Sequence, residues 1–175
     1  MEPLQADASR AALRHLVATL AYRAAKVLRD APPNFGEMTF GASARKPVLI
    51  VAHLGDLMGW AVRLARGEYS WKADGGGDWA TEVTRFFTGL AALDEALASD
   101  ASLRGPVEQA IEKLIQGPLA DALTHVGQLA MLRGMAGMPV RPESYARADI
   151  VIGKVGIEQT APRAEFDGDA SARRA

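Results

Sequence analysis

Four stretches of this chain repeat apolar residues at helical spacing, the mark of helices that each bury one face. The first runs from about Ala8 to Asp30, with Asp7 as its N-cap and Leu13, Val17, Leu20, Ala24, Val27 and Leu28 along one side. Arg14, Tyr22, Lys26 and Arg29 fall opposite. Pro32-Pro33-Asn34 ends this helix, because proline has no N–H to donate and restricts the residue before it. After a linker over 34–44, Ser43 caps a second helix with Pro47 in its first turn, running to about Arg66 and closed by Gly67. The triple glycine of EYSWKADGGGD marks the next loop. Asp78 then caps a third helix from Trp79 to about Ala98, with Trp79, Val83, Phe86, Leu90, Leu93 and Leu97 as its stripe. After a turn at Ser99-Asp100, a last helix extends from about Pro106 to Ala136, and Gly117-Pro118 inside it predicts a kink or break.

The pattern dissolves beyond Gly137. Ala148 to Val155 has the composition of a short extended piece, and the closing PRAEFDGDASARRA is charged, rich in small residues and expected to be disordered. The reading is an all-α, four-helix bundle over 1–140 with long linkers, followed by an extended C-terminal segment over 141–175.

Length and composition narrow the function. At 175 residues the chain is long enough to bury one core. The net charge of -1 and the lack of a basic block argue against nucleic acid as a partner. No cysteine is present, which excludes disulfides, thiolate-bound metals and a cysteine nucleophile. The N-terminus has no secretory pattern, and the most apolar stretch, Pro47 to Val62, is interrupted by His53 and Asp56. A cytoplasmic location without membrane association is therefore expected. Gly75-Gly76-Gly77 lacks the flanks of a phosphate-cradling loop, and no nucleophile elbow or dinucleotide fingerprint occurs.

The three histidines differ in placement. His15 projects away from the first apolar stripe and reads as a surface residue. His53 shares a face with Leu49, Leu57, Trp60 and Leu64, where an unpaired ring nitrogen costs on the order of 1–3 kcal/mol. Taken alone it reads as a core histidine bonded to a neighbour. His125 lies at the edge of the arc built by Leu119, Ala122, Val126 and Leu129, one turn after Asp121. Asp121 is the only charged residue from Gly117 to Leu132, so this segment is expected to be largely enclosed. An Asp121–His125 hydrogen bond along the helix satisfies that pair locally. Two core-facing imidazoles and a carboxylate on two helices of one bundle also make a three-ligand metal site with open positions. Imidazole and carboxylate suit zinc, nickel, manganese or ferrous iron. Asp56 and Gln128, each about one turn from a histidine, are candidate partners that orient the rings, and Trp60 is a candidate pocket wall. Tyr69 and Trp71, in the second linker, are candidates for a lid.

The segments RKPVLIVAHLGDLMGWAVR (Arg45 to Arg63) and GPLADALTHVGQLAMLRGMAGMPV (Gly117 to Val140) resemble the DinB-like family of metalloenzymes. The resemblance implies a four-helix bundle that dimerises and binds a divalent metal through three histidines, one from the second helix and two from an H-x-x-x-H pair followed by Gly-Gln. His53 in VAHLGDL matches the second-helix ligand, and His125 before Gly127-Gln128 matches the second member of the pair. Asp121 stands where the first is expected, a departure that adds negative charge and weakens the metal as a Lewis acid. Zinc or nickel are the leading candidates for that metal, and the family link further implies a homodimer and a small-molecule or low-molecular-weight thiol substrate for a transferase or hydrolase. The competing reading is a non-catalytic, metal-stabilised dimerisation or regulatory bundle.

Overall fold

The computed structural model describes residues 3–99 and 107–167. Among these residues the chain is all-helical with no strand. The helices are α1 (Pro3–Leu28), α2 (Pro47–Ala65), α3 (Trp79–Ala98), and a fourth built from α4 (Val107–Leu114), a π turn (Ile115–Leu119) and α5 (Ala120–Met135). Helices α1 and α2 take diagonal corners of the bundle, each flanked by α3 and by α5. This places α2 directly against α5, which is what brings the histidines of both helices together.

The expected stripes are the core. Val17, Leu20, Ala24, Leu54, Met58, Phe86, Leu90, Leu93, Leu114 and Leu129 are completely buried. Asp78 caps α3 as expected, its carboxylate accepting from the Thr81 N–H at 2.8 Å. Gly67 closes α2 with φ +84, a left-handed position that admits glycine without strain. The expected break at Gly117-Pro118 takes the form of a π turn. One extra residue in that turn accommodates the proline ring and lets the helix continue into α5.

Other expectations change. Helix α1 begins at Pro3, so Asp7 lies within the helix rather than capping it. The residue preceding α2 is Lys46, with no side-chain cap; Ser43 lies outside the helix, and Pro47 supplies the pre-set first turn instead. Helix α2 is long and apolar enough to cross a membrane by length and composition, with a mean hydropathy of 1.5, yet 72% of that stretch is buried inside the bundle. Its composition is that of a central core helix.

The segment after α5 is neither a strand nor detached. Ala148 to Val155 is irregular, with a turn closed by Lys154 N–H to Val151 O at 3.1 Å. Glu143 and Glu165 form a single antiparallel bridge, and the Phe166 N–H bonds to Pro142 O at 3.1 Å. Pro162 to Asp167, expected to be disordered, is thus held in place; the expected disorder of 168–175 lies outside the described residues. The anchor is electrostatic. Lys26 Nζ sits 2.7 Å from both Glu143 and Glu165, and the Tyr22 hydroxyl donates to Glu143 at 2.9 Å. Burial pushes the Glu143 carboxyl up, but Lys26 and Tyr22 outweigh it and hold the group below the usual range. Burial and Glu143 together raise the Tyr22 phenol. Arg23 lies over the Tyr145 ring at 4.2 Å, and Val155 enters the core. Tyr22 and Lys26 therefore face the folded-back segment and not solvent, which is why the polar side of α1 is largely covered.

Candidate metal centre

His53 on α2 and Asp121 and His125 on α5 converge. One ligand atom from each lies within 4.8 Å of the others. His53 Nε2 is 3.3 Å from Asp121 Oδ2, and His125 Nε2 is 3.4 Å from Asp121 Oδ1. With bonds of ~2.0–2.2 Å, donor atoms around a tetrahedral ion stand about 3.4 Å apart; each imidazole has that spacing to a different Asp121 oxygen, and the 4.8 Å bound over all three is wider, so a shared cation would draw the side chains closer. The group can hold a metal ion. The imidazoles meet edge to face, ring centroids 4.8 Å apart.

Gln128 orients one ligand. Its Oε1 is 2.7 Å from His125 Nδ1, and because an amide oxygen can only accept, this contact goes with the Nδ1–H tautomer, the one that leaves Nε2 free as a metal ligand. Loss of this contact is expected to weaken metal affinity in Gln128→Ala by roughly 10- to 100-fold, with little change in melting temperature because Gln128 is exposed. A competition titration against a chromophoric chelator measures it, and an unchanged affinity would show that the ring is held by packing alone.

The site is more open than the sequence suggests. The Asp121 side chain is 45% exposed, against 24% for His53 and 12% for His125. Thr124, Gly127, Gln128 and Met131 are also exposed, so the segment around Asp121 forms the rim of a cavity and is not enclosed. The paucity of charge there reflects a surface of small and polar uncharged residues. The cavity is about 600 Å³, inside the range of roughly 300–1,000 Å³ typical of small-molecule sites, and is lined by the triad, Gln128, Arg45 and Met131 among others.

No family profile, curated protein or solved structure matches the chain.

Trp71 stands 5.7 Å from the His53 ring and 5.8 Å from Trp60, centroid to centroid; Trp60, expected as a pocket wall, is not among the residues lining the cavity and meets the site only through Trp71. Trp60 also lies against the π turn, where a Cβ on Gly117 would come within 3.0 Å of its ring. Tyr69 is exposed, with no ring contact to the triad. Asp56, by contrast, does not orient an imidazole. It is buried on another face of α2, where its Oδ1 takes Arg85 Nη1 at 2.8 Å and the N–H groups of Asp74 and Gly75 at 3.0 and 3.1 Å. Asp56 lies only about 60° round the helix from His53, and what separates them is their partners: Arg85 on α3 and the Asp74 and Gly75 N–H groups take Asp56, whereas His53 meets Asp121 on α5.

That buried cluster positions the loop carrying Trp71. Glu82 Oε1 accepts from the N–H groups of Gly76 and Gly77 at 2.8 and 2.7 Å, while its Oε2 takes Arg85 Nε at 2.7 Å. Burial pushes the Glu82 carboxyl up, and these donors more than reverse it. Arg85 also donates to the Ala52 carbonyl. A Cβ on Gly75 would fall 2.6 Å from Arg85 Nη2 and 2.8 Å from the Ala52 side chain, so only glycine fits between them. Arg63 Nε holds the other end of the loop through Ser70 O at 2.8 Å. Sequence reasoning read the triple glycine as a loop breaker. The signal it passed over was the pair of acids and the arginine on neighbouring helices, Asp56, Glu82 and Arg85, too many charges for core-facing positions to carry unpaired.

Proposed function

We propose that the protein is a DinB-like metalloprotein that holds one divalent ion through His53, Asp121 and His125 and acts on a small molecule. Zinc or nickel are the leading candidates for that ion, with manganese or ferrous iron next, since imidazole and carboxylate ligands accept all four. The carrying observation is the convergence of those groups from two helices beside an open cavity of small-molecule size. Three protein ligands leave positions free, the arrangement of a catalytic rather than a structural site. A bound ion supplies Lewis acidity to a group entering from the cavity, whether a water or a low-molecular-weight thiol, which suits a transferase or hydrolase. Asp121 and the two imidazoles would hold the ion, Gln128 would fix the His125 tautomer, and Trp71 packs beside the His53 ring. We include a homodimer in this reading, supported by the exposed Met131, Met135 and Met138 along and just beyond α5.

Untagged protein is expected to carry about one divalent ion per chain by elemental analysis. Chelation should lower the melting temperature, since an ion that binds only the folded state stabilises it. Failure to retain metal after dialysis against zinc or nickel salts would defeat the proposal. Stoichiometric metal without affinity for any thiol or small electrophile would instead favour the non-catalytic, metal-stabilised bundle.

A further inference from the structure

The cavity beside the triad carries a charge that selects what enters it. Resting on the metal assignment above, we infer that it takes a small organic acid, its carboxylate paired with the Arg45 guanidinium and a donor atom reaching the triad. The lining joins the triad and Gln128 to Ser43, Arg45, Ile50 and Met131, together with two further small or apolar residues. Among the described residues, Asp121 and Arg45 are its only charged side chains. A divalent ion set against the Asp121 carboxylate leaves one net positive charge, and Arg45 adds a second. A concave, partly apolar site with that balance attracts an anion and disfavours a cation.

Arg45 is available for this role. Its neighbour Lys46 is engaged by Glu37 at 2.9 Å, whereas no hydrogen bond or ion pair occupies the Arg45 side chain among the described residues. A guanidinium without a partner at the wall of a cavity offers a planar fork that matches a carboxylate with two parallel hydrogen bonds. Arg45, Ser43 and Ala44 also line a second cavity of about 600 Å³ that reaches Lys46 and Leu49. An acid longer than the first cavity therefore has room to extend past Arg45. Ile50 and Met131 provide apolar surface for the chain between the acid and the metal-seeking atom.

The test uses zinc-loaded protein, titrated calorimetrically with mercaptocarboxylates of increasing chain length and with mercaptoalcohols of matching length. Thiolate is a strong zinc ligand, and each alcohol differs from its acid in the terminal group alone. At the length that spans triad and Arg45, the acid is expected to bind about tenfold tighter or more, the worth of a charged hydrogen bond. Arg45→Gln should abolish that preference and leave the alcohol's affinity unchanged, while Arg45→Lys restores part of it. Arg45 is exposed, so neither change disturbs the core. Equal affinities for acid and alcohol at every length, or a preference that survives in Arg45→Gln, overturn the inference. Zinc uptake with no acid preference ends this inference alone, whereas no zinc uptake ends the metal assignment and this one with it.

Discussion

Replacing His125 with alanine is expected to lower divalent-metal affinity by more than the roughly 10- to 100-fold typical of losing an outer partner, while the bundle stays folded. The ring supplies Nε2 to the site and is oriented through Nδ1 by Gln128, so truncation removes a ligand together with its support. Its removal opens space beside an already accessible cavity and creates no sealed void, which keeps the cost to stability small. Asp121→Ala should behave similarly. Asp121→His is the sharper variant, because the Asp121 side chain is 45% exposed and a larger imidazole fits there. It is expected to bind metal at least as well as the parent protein and to carry a stronger Lewis acid, since a neutral ligand replaces an anionic one. Metal content by elemental analysis and affinity by chelator competition decide the matter. Wild-type affinity in His125→Ala would show that any ion binds elsewhere.

The second large effect lies away from the site. Arg133→Ala is expected to destabilise the fold by about 3 kcal/mol or more, lowering the melting temperature by roughly 6–12 °C for a chain of this size. Arg133 is buried on α5, and among the described residues it pairs with backbone carbonyls and no carboxylate. Its guanidinium serves the end of α1, donating to Val27 O at 2.9 Å, Arg29 O at 2.8 Å and Asp30 O at 3.0 Å, and its Nε donates to Met138 O at 3.2 Å. The final carbonyls of a helix have no partners within it, and they carry the negative end of the helix dipole. One cation therefore closes α1 and ties it to the end of α5. Burial lowers the Arg133 pKa, with Asp30 acting in the opposite direction. Arg133→Lys keeps the charge but loses the fork, and should recover only part of the stability. A melting temperature within about 2 °C of wild type in Arg133→Ala would mean that water replaces the guanidinium without loss.

Both effects act through groups distant in sequence, and they separate what was legible in the chain from what was not. The α3 stripe from Trp79 to Leu97 and its Asp78 cap depend on residues within a turn or two of each other, and both appear in the structure. The Asp121–His125 pair is equally local. Its meeting with His53 follows once two amphipathic helices are required to bury facing stripes, and α2 does pack against α5. Local pattern did not reveal that Gly117-Pro118 is absorbed by a π turn and not by a sharp kink, since either outcome frees the proline from the hydrogen-bond ladder.

The amino-acid order by itself determined the helices, their buried faces and the pairing of a carboxylate with an imidazole one turn apart, because backbone hydrogen bonding and side-chain periodicity act over about four residues. Only the tertiary structure decided that Asp56 serves Arg85 and the glycine loop, that Lys26 clamps Glu143 and Glu165, that Arg133 closes α1, and that Arg45 faces the metal-side cavity. Each of those outcomes depends on which charges packing brings within a few ångströms across long stretches of chain. A polar side chain must find a partner when buried, but its own neighbourhood in sequence does not name that partner.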